Sequence, residues 1–139
     1  MKKSMLLAGL FQFAVALVLA APAVAQQSSY TIHIPFRFNV SSQVLPAGEY
    51  LVRVVSPGAV QIHGEDHIAN ATFGAHRRNG SSRVPQNTEL VFHRYGQNYF
   101  LSQVWFAAGD QGYELTVTST EREYARQTLS ADTVLRAAK

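Results

Sequence analysis

His63-Gly64-Glu65-Asp66-His67 is the sharpest chemical pattern in this chain. If Gly64–Asp66 forms a hairpin loop, the two imidazoles face each other across the strands. They could then share a metal, with Glu65 or Asp66 as an oxygen ligand, since imidazole and carboxylate together suit zinc and its neighbours. The alternative is a polar hairpin tip whose glycine and acidic residues serve turn geometry alone. His93 and Ser102 make a second candidate. They sit on the two arms of one expected hairpin as cross-strand neighbours, the start of a base–nucleophile pair. No G-x-S-x-G elbow accompanies them. The favoured reading gives His93 a hydrogen bond within the sheet, and pairs Arg94 with an acid such as Glu114 or Glu123, because an unpaired charge near a core is costly. On these grounds no catalytic, cofactor-binding or metal residue is assigned, and the chain is not read as an enzyme.

Arg77, Arg78 and Arg83 cluster in a Gly/Ser-rich stretch, Gly74 to Asn87, that reads as the longest loop. A solvated loop and a patch for anions or surfaces both fit it. Nucleic-acid binding needs a broader basic face and is excluded. The aromatics Phe36, Phe38, Tyr50, Phe73, Phe92, Tyr99, Phe100, Trp105, Phe106 and Tyr113 occupy strand positions, so they either fill a core or line a cavity for an apolar ligand.

The elements that must hold these residues are mostly strands. Ile32, Ile34, Phe36, Phe38 and Val40 alternate with polar residues, a half-buried strand that Pro35 makes an edge or bends. Tyr50, Val52 and Val54 mark a second strand, closed by the turn Ser56-Pro57-Gly58. Val60 and Ile62 mark a third, and Ile68 to Phe73 a fourth. Leu90–Tyr95 and Tyr99–Phe106 flank Gly96-Gln97-Asn98 as a hairpin. The second arm is apolar on both faces, with Tyr99, Leu101 and Trp105 on one and Phe100, Val104 and Phe106 on the other. Such a strand is central and needs cover on both sides. After Tyr113, Leu115 and Val117 the period changes. Thr120 and Glu123 form a capping box for a helix over 121–129, whose Tyr124, Ala125 and Leu129 would supply that cover. Residues 131–139 read as a frayed tail. The sum is an all-β domain over 26–130, an antiparallel barrel or sandwich of six to seven short strands with a C-terminal helix.

Residues 1–25 read as a signal peptide. Lys2 and Lys3 precede an apolar run from Met5 to Ala21, Pro22 breaks the helix, and Ala23-Val24-Ala25 is a small-x-small cleavage site. The run is shorter than the roughly 20 residues of a spanning helix. Cleavage removes both lysines, taking 12 basic residues to ten against 9 acidic, so the net charge of +3 falls to +1. The chain has 139 residues and no cysteine, which excludes disulfides, thiolate metal sites and cysteine nucleophiles. Its hydrophobic fraction of 47% against 15% charged excludes a disordered chain.

Ile34-Pro35-Phe36-x-Phe38-x-Val40, Leu45-Pro46-Ala47-Gly48-Glu49-Tyr50, Leu90-Val91-Phe92-His93-Arg94-Tyr95-Gly96 and Tyr99-Phe100-Leu101 follow one another in that order. With Val104-Trp105, Glu114-Leu115 and Ser119-x-Glu121-Arg122-Glu123, this series resembles a family of small uncharacterised exported proteins from acidobacteria. The likeness spans roughly 34–126. It implies export and a single β domain, and carries no activity, ligand, cofactor or site residue.

The expectation is therefore a secreted or periplasmic, non-enzymatic β domain with a binding or cell-envelope role. It has no membrane span after signal cleavage, and an envelope component or another protein as partner. Two alternatives stand beside it: a lipocalin-like carrier of small apolar ligands, and a metal-dependent enzyme built on His63 and His67.

Overall fold

Alternating inward and outward side chains set the architecture. The structure, a computed structural model, describes residues 28–67, 69–79, 85–107, 109 and 111–137; residues 1–25, read as the signal, lie outside them. The strands are β1 (Tyr30–Ile34), β2 (Phe38–Val40), β3 (Gln43–Leu45), β4 (Gly48–Ser56), β5 (Ala59–Gly64), β6 (Asn70–Asn79), β7 (Glu89–Tyr95), β8 (Asn98–Trp105), β9 (Gln111–Leu115) and β10 (Asp132–Ala137), with helix α1 (Ser119–Gln127) before the last. The described residues are mostly β with one helix, as the patterning requires, but they form ten strands where six to seven were expected, because β3 and β10 show no alternation of their own and the first strand is split at Pro35.

The sheet runs β1-β4-β5-β6-β9-β8-β2-β3, with β7 on the other edge of β8 and β10 beyond β7. β6 joins its halves: Asn70–Gly74 pairs with β5 and Ala75–Asn79 with β9. β1 and β10 come into contact, but among the described residues no ladder joins them, so the sheet is open and the barrel is not closed. Pro35 ends β1, and the chain bends before β2, which runs parallel to β8 for two residues, the one departure from antiparallel pairing among the described residues. Positive-φ glycines make two of the tight turns, Gly58 at 82° and Gly96 at 63°.

Inside lie Ile32, Ile34, Phe38, Val40, Tyr50, Val52, Val60, Ile62, Phe92 and Leu101, all buried. Phe38 meets Tyr50 and Phe92 edge-on, with ring centroids at 5.3 and 5.4 Å. These are the spacings at which aromatic pairs attract beyond their buried area.

Several expectations are corrected. Gly74–Asn79 is strand, not loop: Ala75 is half-buried and the other residues are exposed, so the alternation is faint although β9 pairs with the segment from Ala75 onward. Arg77 and Arg78 therefore sit on β6, where they contact Gln111 and Glu114 across the ladder; Arg83 lies outside the described residues. The tail does not fray from 131, because Asp132–Ala137 pairs with β7 and so satisfies that strand's outer edge.

The two faces of β8 are also reassigned. Val91 opposes Gln103 while Phe92 opposes Leu101, so Ser102 is an extra, bulged residue. The bulge resets the alternation, putting Leu101 and Val104 in the core with Phe106 against it, and turning Phe100 and Trp105 outward.

Helix α1 covers the outward face of β8, with Tyr124 of the expected side chains but not with Leu129. Tyr124 packs on Phe100 at 5.6 Å, but Leu129 is fully exposed and the buried helix residue is Glu121. The N-cap is Thr118, whose hydroxyl accepts from the Glu121 N–H at 3.1 Å. Thr118-x-x-Glu121 has the same spacing as Thr120-x-x-Glu123, two residues earlier.

Candidate functional site

His63 points outward near the end of β5, between the inward-facing Ile62 and the turn. Three backbone bonds hold that turn: Gly64 N–H donates to the Ala69 carbonyl (2.6 Å), His67 N–H to Gly64 (2.9 Å) and Glu65 N–H to Glu49 (3.0 Å). The cross-strand partner of His63 is Asn70 rather than His67. His67 reaches it from within the turn, from a left-handed backbone with φ 61°. His63 Nε2 and His67 Nδ1 share a hydrogen bond of 2.8 Å, both rings exposed. The expected carboxylate ligand does not join them. A Cβ on Gly64 would lie 2.8 Å from Asp66 Oδ1, so that carboxylate folds back over Gly64. Among the described residues no group of three or more His, Asp or Glu side chains could hold a metal. Beside the turn an open groove of about 350 Å³ runs along Pro46–Tyr50 and Gly64–Asp66. The buried Tyr50 hydroxyl donates to the Pro46 carbonyl at 2.6 Å. Burial, and after it the Asp66 charge, push this phenol above its ordinary pKa. Further along the same edge His33 Nδ1 meets Glu49 Oε1 at 2.7 Å.

His93 and Ser102 are not cross-strand partners. The turn pairs Tyr95 with Asn98 directly, and that register gives His93 the partner Phe100 instead. His93 Nδ1 lies 2.8 Å from Glu121 Oε1, and the Tyr95 hydroxyl donates to the same oxygen at 3.4 Å. The carboxylate is 6% exposed and the imidazole 34%. Burial first, then the Glu121 charge, raises the Tyr95 pKa. The hydrogen bond expected of His93 thus reaches the helix rather than the sheet. Arg94 pairs with neither proposed acid: it meets Asp132 at 2.6 Å, while Glu114 takes Arg78 and Glu123 lies 3.6 Å from Arg126. The signal in the sequence that places Glu121 is the Thr118-x-x-Glu121 spacing, which sets it in the first turn of the helix.

The aromatics divide into a filled centre and an open rim. Around Phe38, Phe36 is edge-on to Phe92 (5.2 Å) and stacked on Tyr99 (3.9 Å). At the other end of β4, Tyr30 meets Phe106 at 5.7 Å, and Phe106 meets Tyr113 edge-on at 5.8 Å. With Val54 and the polar Ser28 and Gln111 they surround a pocket of about 350 Å³. Aromatic and polar groups share its walls about equally, and its volume is near the lower end of the range of small-ligand sites. Nothing in the sequence singles out this group. Tyr30 precedes the clear alternation, Phe106 follows β8, and only the folded sheet brings them together.

Compared with family models, with curated proteins and with solved structures, the chain matches none.

Proposed function

We propose that the protein is an exported, non-enzymatic binding domain that works in the periplasm or outside the cell. It takes an apolar group, such as an aromatic or branched aliphatic side chain of an envelope partner, into the pocket beside Tyr30, Phe106 and Tyr113. The observation that carries this reading is the contrast between centre and rim. Phe38 and Phe92 are fully buried among other rings, whereas Tyr30 and Phe106, which also touch each other and Tyr113 in turn, are half-buried and border open space. Export is supported by the signal pattern of residues 1–25, and by the resemblance to exported acidobacterial proteins. Among the described residues, no helix is long and apolar enough to cross a membrane. The non-enzymatic reading is supported by the strand register, which sets His93 opposite Phe100 and not opposite Ser102.

Two measurements test the proposal. Intact mass of protein from its own cells should give a soluble species beginning at Gln26; a form that keeps residues 1–25 in the membrane fraction overturns export. Titration with an environment-sensitive apolar dye should saturate at one site per chain, and Tyr30→Ala should weaken it while the far-ultraviolet spectrum is unchanged. Dye binding that ignores Tyr30→Ala overturns the pocket. Competition by long-chain fatty acids at one per chain would instead support the carrier reading.

A further inference from the structure

His63 and His67 take no part in the aromatic pocket or in the core, and their geometry is specific. We propose that His63 Nε2 and His67 Nδ1 form a two-histidine site for a borderline divalent transition-metal ion, Cu²⁺ above all, with water completing its coordination.

The first argument is the distance. Two metal–imidazole bonds of about 2.0–2.1 Å at adjacent positions around one ion place their nitrogens about 3 Å apart. The two nitrogens already stand 2.8 Å apart, so turning the rings at almost constant separation brings both lone pairs onto one ion. Only one proton lies between them in the hydrogen-bonded state. On binding, that proton moves from the donating nitrogen to the other nitrogen of the same ring, and two lone pairs then face the metal.

The second argument is the backbone. A φ of 61° is a left-handed conformation that glycine and asparagine adopt more readily than most residues. The bonds from His67 N–H to Gly64 and from Gly64 N–H to Ala69 hold the turn in that shape. Strain of this kind persists where the surroundings over-determine it, and it marks positions where a side chain is being placed. Here the side chain placed is an imidazole, directed at another imidazole.

The donor set decides the class of ion. Two neutral nitrogens suit copper, nickel and zinc, in affinity Cu²⁺ above Ni²⁺ and Zn²⁺. Calcium and magnesium need several oxygen ligands, and the Asp66 carboxylate is folded over Gly64. Both rings are exposed, so the remaining positions are open to water.

The test is calorimetric titration of the full folded chain with Cu²⁺ and Zn²⁺ salts in a non-coordinating buffer, with Mg²⁺ and Ca²⁺ as controls. Electron paramagnetic resonance of the Cu²⁺ form is the second readout. One Cu²⁺ per chain should bind, with hyperfine structure from two nitrogens, and with no response to Mg²⁺ or Ca²⁺. His63→Gln and His67→Asn should each weaken binding at least tenfold, and His33→Gln should leave it unchanged. Asparagine suits the left-handed backbone, so His67→Asn should keep its fold, checked by its unfolding midpoint. Absence of saturable Cu²⁺ binding to the wild type overturns the site. So does binding that survives both His63→Gln and His67→Asn, or that is lost only in His33→Gln.

Discussion

Gly112→Ala is the substitution whose outcome this structure determines most sharply. Gly112 on β9 is the direct cross-strand partner of Trp105 on β8, and both face outward. The indole lies flat on the glycine. A Cβ there would stand 2.6 Å from Trp105 Cε3 and 2.7 Å from Cδ2 and Cζ3. Ordinary carbon contacts are about 3.5–4.0 Å, so the overlap is close to 1 Å. The ring cannot easily slide, because its Nε1–H donates to Gln103 Oε1 at 2.9 Å. Forcing a methyl into such a contact costs about 1–3 kcal/mol, and an overlap this large belongs at the upper end. Trp105→Ala alone should cost about 3–5 kcal/mol, since the side chain is 8% exposed. Together the two changes should cost no more than Trp105→Ala, because without the indole nothing obstructs the new methyl. The double-mutant cycle should therefore return a coupling of about 2–3 kcal/mol. Urea unfolding followed by far-ultraviolet circular dichroism reports all four proteins, and equal slopes would confirm a common unfolded reference. The chain has one tryptophan, so its emission in Gly112→Ala also shows whether the ring has been driven into water. A coupling below about 0.5 kcal/mol, the scatter of independent sites, would refute the stacked geometry.

Four further outcomes follow from the same coordinates. Thr118→Ala should cost about 1 kcal/mol in chemical denaturation and Thr120→Ala almost nothing, because only Thr118 accepts the Glu121 N–H; the reverse order would restore the later cap. Glu121→Ala should lose about 2 kcal/mol, the scale of a hydrogen bond to a charged group. An unchanged midpoint would mean the His93–Glu121 contact is incidental. Tyr50 and Tyr95 hold their protons more tightly when folded than when unfolded. Their contribution is thus complete below pH about 10 and declines as pH rises through the folded values, so a Tyr50→Phe/Tyr95→Phe protein should show a shallower alkaline loss of stability. Truncation after Ser130 removes β10 and bares the outer edge of β7, which should drive self-association visible by sedimentation. A truncated monomer of equal stability would show that the edge needs no cover.

The parts of this fold legible in the sequence are those where one face is uniformly apolar. Ile32, Ile34, Phe38, Val40, Tyr50, Val52, Val60 and Ile62 all point inward as their alternation predicts. β7 and β8 were legible as well, with Gly96 between them. Where the alternation is faint, reading fails. Gly74–Asn79 offers only small or charged residues and is held as strand by its pairing with β9. Asp132–Ala137 likewise depends on β7. Pairing between distant strands leaves no local trace, and β10 is therefore invisible until β7 is in place. The candidate sites divide the same way. The His63/His67 approach is local and was readable from a five-residue pattern, while the Tyr30/Phe106/Tyr113 pocket joins three separate segments. The partner of His93 depends on a smaller matter, the turn register: Asn98 already pairs with Tyr95, so His93 meets Phe100 and not Ser102.

That residue, Ser102, sets how this chain can change length. Because it stands outside the β7 ladder, its loss would leave Leu101 and Val104 inside and Gln103 and Trp105 outside. Loss of Gln103 would do the same with Ser102 in its place, whereas loss of a residue outside this pair would exchange core for surface. Mid-strand deletions are usually barred in evolution, but the bulge tolerates one. Descendants of a common ancestor that differ by a single residue in this region should differ at the bulge. Any alignment that places the gap elsewhere in β8 would match buried positions in one chain with exposed positions in the other.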